Sequence, residues 1–133
     1  MCRAALGPMM AQRSGAIVNI ASVLAYAPAV EFFATHAYAA CSGARIALTR
    51  SMAAFYARYG IRVNAVAPGL IATPMSQRAQ SDAQIRAYLQ NRQPITGQPG
   101  KPEDVAQAIL YLSTAPFVTG VVLEIAGGWS VAG

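Results

Sequence analysis

Three short apolar runs, each preceded by a helical stretch, constrain the fold of this 133-residue chain more than any other feature. They are "GAIVNIAS" (15–22), "IRVNAVAPG" (61–69) and "VTGVVLEIAGG" (118–128), all rich in branched residues. Such runs suit parallel strands covered on both faces. Residues 3–12 read as the tail of a helix stopped at Arg13-Ser14-Gly15, and Tyr38 to Tyr59 as a long helix closed by Gly60. Residues 74–93 are polar, with spaced apolar positions at Met75, Ile85, Tyr88 and Leu89, and are predicted to be helical and mobile. Pro102-Glu103-Asp104 opens another helix, its acids facing the helix dipole, which runs to about Ser113. A connection over 23–36 and a Gly/Pro-rich loop over 93–102 join these pieces. Helix alternating with strand is the pattern of an α/β sheet with crossover helices. About three strands supply only half of a doubly wound parallel sheet.

Composition sharpens that point. The hydrophobic share is 55% and the charged share 11%, against a usual charged fraction of roughly 25%. Disorder is excluded, and a chain this apolar is expected to assemble with something or to belong to a larger body. The net charge of +5 comes from arginines scattered along the chain rather than clustered. That spread argues against a nucleic-acid surface, which needs a basic stripe. Cys2, Cys41 and the single histidine, His36, have no metal-ligand spacing, and the two thiols are expected to be reduced and buried. No apolar stretch approaches the ~18 residues of a membrane span, and no leader pattern opens the chain. A cytoplasmic location and no membrane partner are the expectation.

Five stretches, "SGAIVNIAS", "YAACSGARIALTRSMA", "YGIRVNAVAPGLIATPM", "KPEDVAQAILYL" and "VTGVVLEIAGGWS", together resemble the second half of a classical short-chain dehydrogenase/reductase. The resemblance runs nearly end to end and in order. It implies residues 1–133 form a partial Rossmann-type domain, a nicotinamide cofactor (NAD or NADP), and a small-molecule alcohol or carbonyl substrate. Ser22 falls at the catalytic serine and Tyr38 at the catalytic tyrosine. Pro68 and Gly69 match the turn beneath the nicotinamide ring, and Ile71 and Thr73 the segment that contacts carboxamide and pyrophosphate. Asn64 falls at a structural position, 74–93 at the substrate-covering lid, and Gly127 and Gly128 at the turn near a subunit contact. The helix over 38–59 and the last strand are implied to build a homo-oligomer.

Two departures stand against the family pattern. The glycine-rich loop that cradles the pyrophosphate is not among these residues, since Gly97 and Gly100 follow no strand. Met1 opens the sequence inside the helix before the serine strand. The second departure is Ser42, which stands where the family's tyrosine, three residues, lysine signature has lysine. A free tyrosine titrates near ~10. Lowering that by ~3 units takes about 4 kcal/mol, a load the lysine shares with the cofactor's positive ring. A serine brings no charge. Arg45 lies about 10 Å further along the helix and would have to fold back; Lys101 belongs to a distant loop, and His36 is read as a loop residue. The expected function is therefore an oxidoreductase-family chain that does not turn over by itself, binding of cofactor by this chain alone being doubtful. The alternative is a non-catalytic subunit that uses the family's oligomerisation surfaces.

Overall fold

The three predicted strands pair side by side in one parallel sheet, in chain order. A computed structural model of the chain describes residues 2–29, 31–33 and 35–132; Met1 lies outside the described residues. Strand β1 is Gly15–Ile20, β2 is Ile61–Pro68 and β3 is Val122–Ile125. β2 is central, with Gly15 opposite Ile61 on one side and Ala65 opposite Val122 on the other. Helices α1 (Cys2–Gln12), α2 (His36–Tyr56), α3 (Gln77–Ser81), α4 (Ala83–Arg92) and α5 (Pro102–Thr114) occupy the connections. Among the described residues, no helix is long and apolar enough to cross a membrane.

β2 is buried on both faces, as its unbroken apolar run demands: Ile61, Val63, Ala65, Val66 and Ala67 have no exposed surface. Two apolar clusters form at its two ends. At the start, Ile61 and Val63 join Met52 and Ala53 of α2, with Leu6 and Met9 of α1 packed against them. At the finish, Ala67 joins Val23, Ala126, Trp129 and the α4 residues Ile85 and Leu89. The turn that feeds β2 needs glycine, because Gly60 has φ 71° and a Cβ there would strike the Arg13 carbonyl.

β3 occupies Val122–Ile125 within the stretch 118–128 read as a strand and its glycine turn. Ahead of it the Gly120 N–H donates to the Val63 carbonyl (2.8 Å) and the Ala65 N–H to the Val121 carbonyl (2.9 Å), and side chains add to these backbone bonds. Asn64 donates from Nδ2 to the Val118 carbonyl (2.9 Å) and accepts at Oδ1 from the Val121 N–H (3.2 Å), while Thr119 Oγ1 accepts from the Val63 N–H (3.0 Å). The stretch 74–93, expected to be helical, holds a short 3-10 turn over Pro74–Ser76 followed by α3 and α4. Asp82 sits at ψ 120° between them, and its carboxylate caps α4 by accepting from Gln84 and Ile85 N–H. α4 joins the core through Ile85 and Leu89.

Much of the arginine excess serves the backbone. Arg62 donates to the Leu112 and Ser113 carbonyls at the end of α5 (2.6 and 2.7 Å). Arg13 donates to the Arg58 carbonyl (2.9 Å), and Arg92 to the Ala132 and Pro28 carbonyls (3.0 and 3.3 Å). These contacts satisfy carbonyls that helix ends and loops leave without partners.

Candidate active site

β1 stops at Ile20, and Ser22 lies just past it, buried, at the cap of a short 3-10 turn over Val23–Ala25. Its hydroxyl accepts from the Leu24 N–H at 3.2 Å. That bond uses a lone pair and leaves the hydroxyl proton available to donate. The Ala21 N–H still reaches the Val66 carbonyl (2.8 Å), so Ser22 is held at the carboxyl edge of the sheet, where ligands bind in parallel α/β folds.

α2 brings Tyr38 to the same edge. The helix is tied to β1 by Asn19 Nδ2, which donates to Thr49 Oγ1 at 2.9 Å. Tyr38 lies in the first turn of α2 and is 45% exposed. The 3-10 turn that follows Ser22 packs on α2, where Leu24 shares a recess with His36 and Ala39.

Ser42 itself is fully buried, and its Oγ has no hydrogen-bond partner among the described residues. Thr49, one helical stretch away, shows the ordinary solution: its hydroxyl donates to the carbonyl four residues back, that of Arg45, at 2.8 Å. Ser42 makes no such bond to Tyr38. The position where the family signature has lysine thus holds a fully buried hydroxyl, without charge. Arg45 is exposed on α2. His36, read as a loop residue, is the first residue of α2. Cys41 is exposed, against expectation, because its neighbour Ser42 takes the inward face of the helix. Among the described residues, no group of three or more His, Cys, Asp or Glu could hold a metal ion.

The turn after β2 completes the edge. The Gly69 N–H donates to the Ile125 carbonyl (3.0 Å). A Cβ on Gly69 would lie 2.5 Å from Gln93 Oε1 and 2.9 Å from the Ala126 Cβ, so close internal packing is one reason for glycine there. Ile71 forms a parallel bridge with Gly100, in which the Gly100 N–H donates to the Leu70 carbonyl (2.9 Å) and the Ala72 N–H to the Gly100 carbonyl (2.8 Å). In such a bridge the N–H of Ile71 points the other way, and it finds no acceptor among the described residues. Thr73 caps the next turn, its N–H donating to Ser76 Oγ at 3.2 Å and its carbonyl accepting from Gln80 Nε2 at 2.8 Å.

Sequence reasoning missed Gln93 and Ser76, the two side chains that hold this turn. Gln93 carried a signal: it lies four residues after Leu89 and eight after Ile85, on the inward face of α4. Ser76, in a short polar run, carried none. Two surface recesses flank α2, of about 390 Å³ (with Tyr26, Gly43 and Arg50) and about 110 Å³ (with Leu24, Phe33 and His36). Neither is lined by Ser22, Tyr38, Pro68, Gly69, Ile71 or Thr73. In the larger, Tyr26 donates to Glu124 Oε2 (3.1 Å), and burial, then the Glu124 charge and hydrogen bond, push the phenol up to about 12.

The fold and this edge define a Rossmann-type α/β domain with its polar groups at the carboxyl ends of parallel strands. The family model described as enoyl-(acyl carrier protein) reductase matches residues 1–130. The chain belongs to the short-chain dehydrogenase/reductase family. It is 45% identical over 128 residues to the cis-4-hydroxycyclohexanecarboxylate dehydrogenase of Sinomonas cyclohexanicum, covering 95% of this chain and 49% of that protein. It is 43% identical over 132 residues to the inactive 2-(S)-hydroxypropyl-CoM dehydrogenase 2 of Xanthobacter autotrophicus, covering 95% of this chain and 56% of that protein. Among solved structures, a gluconate 5-dehydrogenase from Burkholderia cenocepacia in complex with NADP and tartrate superposes with a TM-score of 0.85 at 33% identity, covering 98% of this chain and 51% of that one. The chain spans about half the length of the relatives it matches.

The buried, unbonded hydroxyl of Ser42 predicts that Ser42→Ala stabilises the fold by about 1 kcal/mol, through loss of an unsatisfied group and a gain in helix propensity. Urea unfolding followed by the fluorescence of Trp129, the single tryptophan, measures it; a loss of stability instead reveals a partner for the hydroxyl. Tyr26, with its pKa raised in the fold, contributes stability that is complete below about pH 10 and lost as pH climbs through about 12. Ultraviolet titration is expected to show a late phenolate component that Tyr26→Phe removes.

Proposed function

We propose that these residues form the proton-transfer and nicotinamide-facing half of an NAD(P)-dependent oxidoreductase site acting on a secondary alcohol or ketone, and that the 133 residues by themselves do not turn over. The observation that carries the reading is the edge arrangement: Ser22 just past β1, Tyr38 in the first turn of α2, which packs on the 3-10 turn after Ser22, and an Ile71 N–H after β2 with no acceptor among the described residues. In this reading the Ser22 hydroxyl donates to the substrate oxygen and holds it, and Tyr38 passes the proton to or from that oxygen. The Ile71 N–H suits an amide oxygen such as the nicotinamide carboxamide, with Pro68 and Gly69 beneath the ring and Thr73 toward the pyrophosphate. That donor, free at the right edge, is the fit between the chain and the cofactor. When bound, the cofactor supplies or accepts the hydride.

The reading of inactivity rests on Ser42. A tyrosine needs a positive charge nearby to act as acid and base near neutral pH, and position 42 offers a buried neutral hydroxyl. The glycine-rich phosphate cradle is likewise not among these residues. The expected result is no hydride transfer when the chain is mixed with reduced cofactor and a panel of ketones; measurable turnover overturns the inactivity. Ser42→Lys is expected to tighten cofactor binding by about tenfold or more, the worth of one charged hydrogen bond, read as a fluorescence change of the reduced cofactor. An unchanged affinity means the missing cation is the wrong explanation.

The same family reading includes self-association through α2 and the last strand. α2 leaves Leu48 and Phe55 each 49% exposed beside the small side chains Ala40, Ala44 and Ala47, and Val121 is exposed just before β3. Burying such a stripe favours a dimer. Light scattering is expected to give a dimer or larger species that Leu48→Glu converts to monomer; a monomeric parent chain rejects the interface.

A further inference from the structure

The side chain of Gln93, directly after α4, is 2% exposed and makes three hydrogen bonds, all to backbone. Oε1 accepts from the Leu70 N–H at 2.7 Å, and Nε2 donates to the Leu70 carbonyl at 3.3 Å and to the Gln98 carbonyl at 2.9 Å. A carboxamide carries the donor and acceptor of a peptide group, so it grips both polar groups of Leu70 as a neighbouring strand would. Its stem fills the space under the last turn, with Cβ 3.2 Å from where a Cβ of Gly127 would stand. Its backbone carbonyl accepts from the Gly97 N–H (2.8 Å). Three loops at the carboxyl ends of β2 and β3 therefore meet on one residue.

An apolar side chain would serve if the site only needed filling, since Ile85 and Leu89 on the same face of α4 are core residues. A buried carboxamide costs free energy unless its groups are bonded, and every bond the Gln93 carboxamide makes goes to a loop peptide. We propose that Gln93 is a positioning residue: by fixing Leu70 from behind, it aims the unused N–H of Ile71 outward. The proposal rests on the reading above that this N–H meets the nicotinamide carboxamide. Gln93 touches neither substrate nor cofactor, and acts through the turn.

The test compares the 133-residue chain with Gln93→Met, which keeps length and bulk but removes donor and acceptor, and with Leu89→Ala, which weakens the same cluster without touching the turn. Amide exchange of Leu70 is expected to accelerate at least about tenfold beyond any global change in Gln93→Met, as a buried N–H loses its acceptor. The Ile71 N–H vector, read from residual dipolar couplings, is expected to reorient in Gln93→Met and to stay put in Leu89→Ala. Unchanged Leu70 exchange or an unchanged Ile71 vector in Gln93→Met overturns the positioning role. So does an equal response in Leu89→Ala, which makes Gln93 a packing residue only. Nicotinamide mononucleotide at millimolar concentration is expected to shift the Ile71 amide resonance in the parent chain. Failure of that shift alone rejects the nicotinamide reading, while the exchange and coupling data still decide the clamp.

Discussion

The whole arrangement depends on burying β2 on both faces. A parallel strand this apolar is stable only with strands on its two sides and helices above and below it. β1 and β3 supply the first, and α2 and α5 pack against the sheet. Because the crossovers return to the same end of the sheet, each strand finishes at one edge, and the loops that follow gather there. Ser22 follows β1, the Pro68-Gly69 turn ends β2, and Gly127 and Trp129 follow β3. The loops gather at that edge because the core beneath it leaves the strands no other direction.

Polar groups at that edge divide into those used for holding and those left over. The Gln93 carboxamide spends its bonds on loop backbone, and Ser76 donates to the Ile71 carbonyl while accepting from the Thr73 N–H. Ser22 keeps a proton, Ile71 keeps an N–H, and Tyr38 keeps its phenol exposed. Ser42 is the odd member: on the inward face of the helix, without charge and without a hydrogen-bond partner among the described residues. A rigid frame with available donors and a neutral slot at the cation's place is the physical content of the reading that the site is half built.

Much of this was legible in the residues. The strand runs, the long helix after Tyr38 and the helix opening at Pro102 appear where hydrophobic periodicity and cap signals put them, within a few residues. What local periodicity does not report is where side chains add to the backbone bonds, as Asn64 and Thr119 do over 118–121 and Asp82 does at the start of α4. Gln93 looked like the start of a loop because its partners, Leu70 and Gly127, lie 23 and 34 positions away in the sequence.

The sequence by itself determined the class of fold, the parallel sheet, the positions of Ser22 and Tyr38 at a strand end and a helix start, and the lack of charge at Ser42. Those follow from local propensity, hydrophobic period and residue identity, which need no knowledge of the rest of the chain. Only the tertiary structure decided that Ser42 is fully buried, that the Ile71 N–H finds no acceptor among the described residues, and that Gln93 holds the turn. Each of these depends on which distant groups meet when β2 is enclosed, and burial of a polar atom has no meaning until its neighbours are in place.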